Sequence, residues 1–126
     1  FNSKGELFFR TIESEAVKHL CNRSDSLVLA LGGGTPCYSN TMQFLVNHPN
    51  VKTVFLNLSV KSLSDRLIKE KAKRPLIADL DDETIPEFIA KHVFERSFYY
   101  NQAELTIQTD SLTVAEIVAA IQSKLI

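Results

Sequence analysis

The chain has 126 residues, of which 44% are hydrophobic and 23% charged, and its net charge at pH 7 is −1. This length allows one domain with its own core, and the near-neutral charge argues against nucleic acid or an anionic membrane as the main partner. No apolar run approaches the roughly 18 residues of a membrane span, and no signal segment opens the chain. We therefore expect a globular protein of the cytoplasm.

The first half of the chain is predicted to contain a helix, a strand and a second, short helix. Apolar residues at helical spacing predict the first helix over residues 3–21. The apolar run at residues 27–31 predicts a strand buried on both faces, as in a parallel sheet. Gly32, Gly33 and Gly34 follow it and predict a sharp turn against which a ligand can lie. The short helix begins after a capping Ser39 or Asn40.

The middle of the chain continues the alternation of strands and helices. Residues 51–58 are rich in β-forming side chains and predict a second strand, after which Ser59 caps a helix that ends near residue 69. Residues 70–82 are charged and contain a proline, which predicts a loop. Because long loops in compact domains are often functional, this one is a candidate lid. A second long helix begins near Thr84.

The end of the chain completes an α/β pattern. Residues 105–109 predict a third strand, and Thr113 with Glu116 forms a capping box that opens the last helix. Alternating strands and helices predict an α/β fold with a parallel sheet, in a single domain over residues 1–126. Three strands make a thin sheet, and the chain begins at Phe1 without an initiating methionine. We therefore expect the domain to be incomplete at its N-terminus.

Most of the side chains that could carry chemistry are cationic. Arg10 lies on the apolar stripe of the first helix, where it either reaches solvent, pairs with Glu13 or Glu15, or binds a ligand. The basic run at residues 69–74 ends in Arg74 and is either a solvated helix end or a contact for phosphates. Arginines beside a glycine-rich strand end suit a small anion such as a carboxylate or a phosphate.

Arg96, like Arg10, has both a structural and a functional interpretation. It lies among apolar residues of a helix, where it either pairs with Glu95 or Glu104 or binds an anion. The three histidines are far apart in sequence, so a zinc site built from them is improbable. Cys37 has no base placed beside it by any motif, which favours an inert thiol over a nucleophile, and its spacing from Cys21 indicates neither a metal site nor a disulfide framework.

Taken together, these motifs resemble those of shikimate kinases, a family of P-loop enzymes. The resemblance covers nearly the whole chain, and its motifs occur in the order found in the family. They are Gly5-Glu6, Phe9-Arg10 with Glu13, Gly32-Gly33-Gly34, Arg74-Pro75-Leu76, and Arg96 followed by Tyr100.

The resemblance implies an enzyme that transfers the γ-phosphoryl group of ATP to the 3-hydroxyl of shikimate, with Mg²⁺. It implies that Arg10 and Arg96 bind the shikimate carboxylate while residues 32–34 lie against the ring and its hydroxyls. Arg74 would reach over the ATP phosphates when the lid closes, and Arg66 matches a position near the adenine. The implied partners are shikimate and ATP, without nucleic acid or membrane, and the implied state of the complete protein is a monomer.

The sequence departs from the family pattern at the phosphate-binding loop. No GxxxxGK[ST] motif occurs, since none of the four glycines is followed directly by lysine. We therefore expect that loop, and the aspartate that orients the substrate hydroxyl, in a segment that precedes Phe1. Its expected length is on the order of 40 residues. Without that segment we expect the chain to be inactive alone and residues 27–31 to expose unpaired strand edges.

Two smaller departures and two alternative functions complete the expectations. Ala30 replaces a hydroxyl residue often found near the metal in the family, and Phe98 replaces a proline commonly found two residues after the helix arginine.

One alternative is a related small-molecule kinase of the gluconate or nucleotide kinase type, which would share the fold and the basic lid. The other is a non-catalytic binding module.

Overall fold

The computed structural model describes residues 5–74 and 78–125, which form five α-helices and two strands. Single 3-10 turns cover Thr35–Cys37 and Lys71–Lys73. Within the described residues, no helix is both long and apolar enough to cross a membrane. In chain order the elements are α1 (Glu6–Cys21), α2 (Thr41–Asn47), β1 (Val54–Asn57), α3 (Val60–Lys69), α4 (Ile85–Tyr100), β2 (Leu105–Gln108) and α5 (Val114–Leu125).

The two strands pair in parallel, which confirms the predicted class of fold. Val54 lies opposite Leu105, and Asn57 lies opposite Gln108 at the other end of the ladder. Parallel strands require a crossover connection, and here the chain crosses through α3 and α4, which pack against each other. Helix α5 packs against β2, so the sheet is flanked by helices.

The predicted strand at residues 27–31 is wrong for the described structure. A strand is defined by backbone hydrogen bonds to a neighbour, and none of the described backbone supplies one to this segment. The expected burial on both faces is wrong as well, since Val28 is 98% exposed and Leu27 is 46% exposed.

The helix boundaries follow the local sequence signals closely. Helix α3 is capped by Ser59, whose hydroxyl accepts a hydrogen bond from the backbone N–H of Ser62. Helix α5 is opened by the predicted capping box, because the Thr113 hydroxyl accepts from the Glu116 N–H and the Glu116 carboxylate accepts from the Thr113 N–H. The prediction for α2 is wrong in one respect: Asn40 precedes the helix, but its side chain makes no capping hydrogen bond.

A small apolar core lies between α1 and α2. Val17 of α1 packs with Met42 and Leu45 of α2, and each of the three is buried. Ile85 at the start of α4 is fully buried. Several apolar side chains of the helices are exposed instead. These are Phe9, Ile12, Val46, Val118 and Leu125.

One carboxylate ties the ends of the two strands to α3. Asp110, two residues beyond β2, accepts hydrogen bonds from the Ser62 hydroxyl at 2.6 Å and from the Ser59 hydroxyl at 2.7 Å. The backbone N–H of Ser59 also donates to this carboxylate at 3.2 Å. These hydrogen bonds from Ser62 and Ser59 favour the charged form and lower the pKa of Asp110 below its ordinary value.

We expect this carboxylate to make stability depend on acid pH. Its pKa is lower in the folded than in the unfolded chain, so its stabilising effect is present above the ordinary aspartate pKa of about 3.9 and is lost as pH falls below it. The Asp110→Asn variant should have a lower Tm than wild type at pH 7, and the difference should shrink toward pH 2. The exposed Asp25→Asn variant is the control, and an Asp110→Asn difference that is constant across this range would contradict the expectation.

Candidate anion-binding site

The glycine run forms a tight turn that leads into the 3-10 turn at Thr35–Cys37. The backbone N–H of Thr35 donates to the carbonyl oxygen of Gly32 at 3.1 Å, and the N–H of Cys37 donates to that of Gly34 at 3.0 Å. Pro36, in the first turn of the 3-10 segment, is buried together with Thr35. The turn is therefore a fixed, partly buried piece of backbone rather than a loose connection.

Two arginines from different helices lie against this turn. A Cβ atom added to Gly34 would lie 2.6 Å from Nη2 of Arg10, and one added to Gly33 would lie 3.0 Å from Nη1 of Arg96. These distances are shorter than ordinary contacts to a Cβ atom, so a side chain at Gly33 or Gly34 would displace the end of an arginine side chain. Because the Cα atoms of successive residues are about 3.8 Å apart, α1 and α4 deliver their arginines to adjacent points of one backbone.

Arg10 is held by acidic groups of its own helix. Its Nη1 donates to the Glu13 carboxylate at 2.9 Å, and its Nη2 lies 3.6 Å from that of Glu6. The side chain is only 13% exposed, which answers the question left open by the sequence: it pairs with Glu13 rather than reaching solvent. Burial acts to lower the pKa of Arg10, but the hydrogen bond to Glu13 and the charges of both glutamates outweigh it, so the pKa lies above its ordinary value.

Glu13 also joins α1 to the glycine turn. Its second carboxylate oxygen accepts a hydrogen bond from the buried Thr35 hydroxyl at 2.8 Å. One carboxylate therefore fixes both the arginine of α1 and the first residue after the glycines. The buried hydroxyl of Thr41 donates to that of Ser14 at 3.0 Å and links α1 to the start of α2.

Arg96 reaches the turn together with Tyr100, one helical turn further along α4. The Tyr100 hydroxyl donates to the carbonyl oxygen of Gly33, and its ring packs against Phe55 of β1 with the centroids 5.1 Å apart. Burial raises the pKa of Tyr100, while the hydrogen bond and charge of Arg96 act in the opposite direction. The sheet, α4 and the glycine turn are therefore connected through one phenol.

Cys37 lies near both arginines without being activated by them. Its thiol is 3.9 Å from the carbonyl oxygen of Gly33. Burial raises the pKa of Cys37, and the positive charges of Arg96 and Arg10 offset this only in part. A thiol with a raised pKa is a poor nucleophile, in keeping with the inert role expected from the sequence.

The two guanidinium groups retain hydrogen-bonding capacity for a ligand. Nε of Arg10 is buried and has no hydrogen-bond partner among the described residues. In that same part of the chain Arg96 forms no salt bridge, and Glu104, one of its two predicted partners, pairs with Lys52 at 3.1 Å instead. Buried donors without acceptors are rare in proteins, and a water, an ion or a ligand can satisfy them. A carboxylate or phosphate matches both the charge and the number of donors.

The two arginines that the resemblance assigns to the nucleotide, Arg66 and Arg74, do not join this cluster in the described structure. Arg74 is exposed and donates to Glu70, one turn earlier, at 3.2 Å. Arg66 is exposed on α3. The rest of the Arg-Pro-Leu motif, Pro75 and Leu76, lies outside the described residues. No contact therefore tests the roles that the resemblance implies for Arg66 and Arg74.

A second cleft, of about 490 Å³, lies on the far part of the predicted lid and is an unsuitable phosphate site. Its lining combines Lys71 with the acidic side chains of Asp81, Asp82 and Glu83, and Lys71 already pairs with Asp82 at 3.3 Å. Three carboxylates would repel an anion. Nor do they form a cation site: the described residues contain no group of three His, Cys, Asp or Glu side chains that could hold a metal.

Sequence reasoning missed one residue of the site, Tyr38. Its ring lies over the guanidinium of Arg10, with Cζ 4.6 Å from the ring centroid. An aromatic residue directly after a glycine-proline turn is a weak signal on its own, and nothing in the spacing connects it to an arginine 28 positions earlier. The link depends on how α1 packs against the turn.

The fold is that of an α/β protein of the kinase-like type, in which two arginines lie against one glycine turn. The family described as Shikimate kinase matches residues 1–126. The chain belongs to the shikimate kinase family, whose members are ATP-dependent kinases.

Individual relatives agree with this assignment. The chain is 44% identical to the shikimate kinase of Flavobacterium johnsoniae over 94% of this chain and 68% of the relative, and also 44% identical to that of Flavobacterium psychrophilum over 96% and 70%. The crystal structure of the shikimate kinase from Bacteroides thetaiotaomicron matches with a TM-score of 0.85 at 30% identity, over 98% of this chain and 69% of that one.

Proposed function

We propose that Arg10, Arg96 and the backbone of residues 32–34 form the shikimate pocket of an enzyme that phosphorylates the 3-hydroxyl of shikimate with ATP. The observation that carries this proposal is that Arg10 and Arg96, from two different helices, both approach the backbone of one glycine turn. In a family of shikimate kinases, the carboxylate of shikimate is the anion that these donors would bind.

The role of the two arginines is to orient the acceptor. A carboxylate bound by two planar guanidinium groups is fixed in direction as well as position, because each group donates along defined N–H bonds. With its acid end held and its ring against the glycines, the substrate presents its hydroxyls away from the arginines. Phosphoryl transfer gains most of its acceleration from such positioning and from neutralised charge, so this binding contributes to catalysis directly.

We place the nucleotide contacts on Arg66 and Arg74 and the lid on residues 70–82. The ion pair of Arg74 with Glu70 is exposed, and exposed pairs contribute little to stability. Arg74 can therefore exchange Glu70 for a phosphate oxygen when the lid closes. Closure would also exclude water, which otherwise competes with shikimate as the phosphoryl acceptor.

Mg²⁺, a cytoplasmic location and a monomeric complete enzyme belong to the same proposal. Bound Mg²⁺ would neutralise charge on the phosphates. The described residues contain no group of three His, Cys, Asp or Glu side chains that could hold the ion. The binding of the substrate carboxylate by the two arginines does not depend on Mg²⁺.

The proposal is tested on the complete gene product by measuring ADP release with several acceptors. We expect turnover with shikimate and ATP, and no turnover above background with gluconate or a nucleoside monophosphate. Arg96→Ala should abolish shikimate binding in calorimetry. Arg23→Ala is the matched control, since it removes an exposed arginine whose only described partner is Asp25. Activity on another acceptor without activity on shikimate would overturn the proposal.

A further inference from the structure

Tyr38 occupies a backbone position that is sharply defined. It follows the 3-10 turn in extended conformation, and its carbonyl oxygen accepts from the N–H of Thr41 at 3.0 Å. Between them, Ser39 and Asn40 have φ values of 55° and 58°. Two successive non-glycine residues in the left-handed region are uncommon and indicate a constraint on the chain. The reversal ends one segment at Tyr38 and begins α2 only three residues later.

The ring of Tyr38 contacts the buried arginine of the site. Cζ of Arg10 lies 4.6 Å from the ring centroid, within the range of a cation–π interaction, and the arginine side chain is 13% exposed. The same guanidinium is paired with Glu13 and lies against Gly34. The ring of Phe9, on α1, also lies 5.1 Å from Cζ of Arg10. Arg10 is thus approached from its own helix, from the glycine turn and from the loop before α2.

The three approaches differ in what they leave available for a ligand. Glu13 consumes an N–H of Nη1, and further pairing with acidic groups of α1 would consume more. An aromatic face attracts the cation through its quadrupole and accepts no conventional hydrogen bond, so it uses none of the N–H donors. Tyr38 therefore attracts the Arg10 guanidinium without using an N–H group that a substrate carboxylate could bind.

We infer that Tyr38 is a positioning residue for substrate binding, which holds the Arg10 guanidinium against the glycine turn through its ring. This inference rests on the proposed function. The ring is the active part and the hydroxyl is dispensable. The role concerns the acid end of the substrate, so it affects binding more than the phosphoryl transfer step.

The test compares ring and non-ring variants in the complete enzyme. Tyr38→Leu should raise the KM for shikimate by about 3- to 30-fold, the range expected for a cation–π contact, with kcat changed by less than about twofold. Tyr38→Phe should retain the wild-type KM within about twofold. Trifluorophenylalanine in place of Tyr38 keeps the ring shape but weakens its negative face, so it should raise KM even if the leucine variant folds poorly.

Two controls separate positioning from a general structural effect. Phe44→Leu removes another aromatic face, which lies over Lys18 at 5.8 Å on the neighbouring helix, and should leave the KM for shikimate unchanged. In an Arg10→Ala background, Tyr38→Leu should cause little further loss of binding, because the group it positions is gone.

Three results would overturn the inference while leaving the proposed function intact. They are a KM for Tyr38→Leu within about twofold of wild type, a Tyr38→Phe variant as impaired as Tyr38→Leu, and an undiminished effect of Tyr38→Leu in the Arg10→Ala background. A wild-type enzyme that binds no shikimate would overturn the proposed function and, with it, this inference.

Discussion

Replacing Arg10 with alanine is expected to weaken shikimate binding by about 30-fold or more, because truncating one partner of a buried, hydrogen-bonded charge pair costs about 2–5 kcal/mol. The loss arises from the removed guanidinium, whose Nε has no hydrogen-bond partner among the described residues. The fold should survive, since Glu13 keeps its hydrogen bond to Thr35 and continues to hold α1 to the glycine turn.

Isothermal titration of shikimate into the complete gene product measures this effect. Arg10→Lys is the informative companion, since it keeps the charge but loses the planar fork, and we expect it to bind weakly as well. Arg23→Ala should bind as wild type, because its exposed pair with Asp25 is outside the site. If Arg10→Ala binds shikimate as tightly as Arg23→Ala does, the carboxylate is held elsewhere.

Gly34→Ala should give an enzyme that is stable but inefficient. The added Cβ would lie 2.6 Å from Nη2 of Arg10, well inside the contact distance of about 3.5 Å, so the guanidinium must move by about 1 Å. Since misplacement by about 1 Å can cost on the order of 100-fold in rate, we expect kcat/KM for shikimate to fall by about 10- to 100-fold.

The stability of this variant should move in the opposite direction. Gly34 has φ −88° and ψ −12°, which alanine adopts without strain. Alanine there also restricts the unfolded chain, which typically stabilises by about 0.4–1 kcal/mol, so Tm should not fall. Thermal unfolding beside steady-state kinetics measures both effects. A double variant with Arg10→Ala should be no worse than Arg10→Ala alone, and a clear further loss would show that Gly34 acts by another route.

The parts of the fold that sequence predicted well depend on local signals. Ser59 begins α3 and the Thr113–Glu116 box begins α5, because caps act within one turn of a helix. The prediction failed for residues 27–31, because an apolar run becomes a strand only if another strand lies beside it. That neighbour is a property of distant sequence, and no local pattern reports it.

The site likewise has a part that the sequence predicted and a part that it did not. The resemblance selected Arg10, Arg96 and the three glycines as binding residues, and the structure brings the arginines to adjacent glycines. Their mutual arrangement, by contrast, comes from packing: the bridge from Glu13 to Thr35 spans 22 positions. Tyr38 was missed for this reason, since its partner lies on another element.

The separations along the chain also bear on the order in which the molecule folds. The bond from Glu13 to Thr35 joins residues 22 positions apart, whereas the bond from Tyr100 to Gly33 joins residues 67 apart. Closing the longer loop costs more entropy, and contacts of high sequence separation form slowly. We therefore expect the Arg10 half of the pocket to form before the half that contains Arg96. A ligand that binds both arginines stabilises the contact that forms last, so it should slow unfolding.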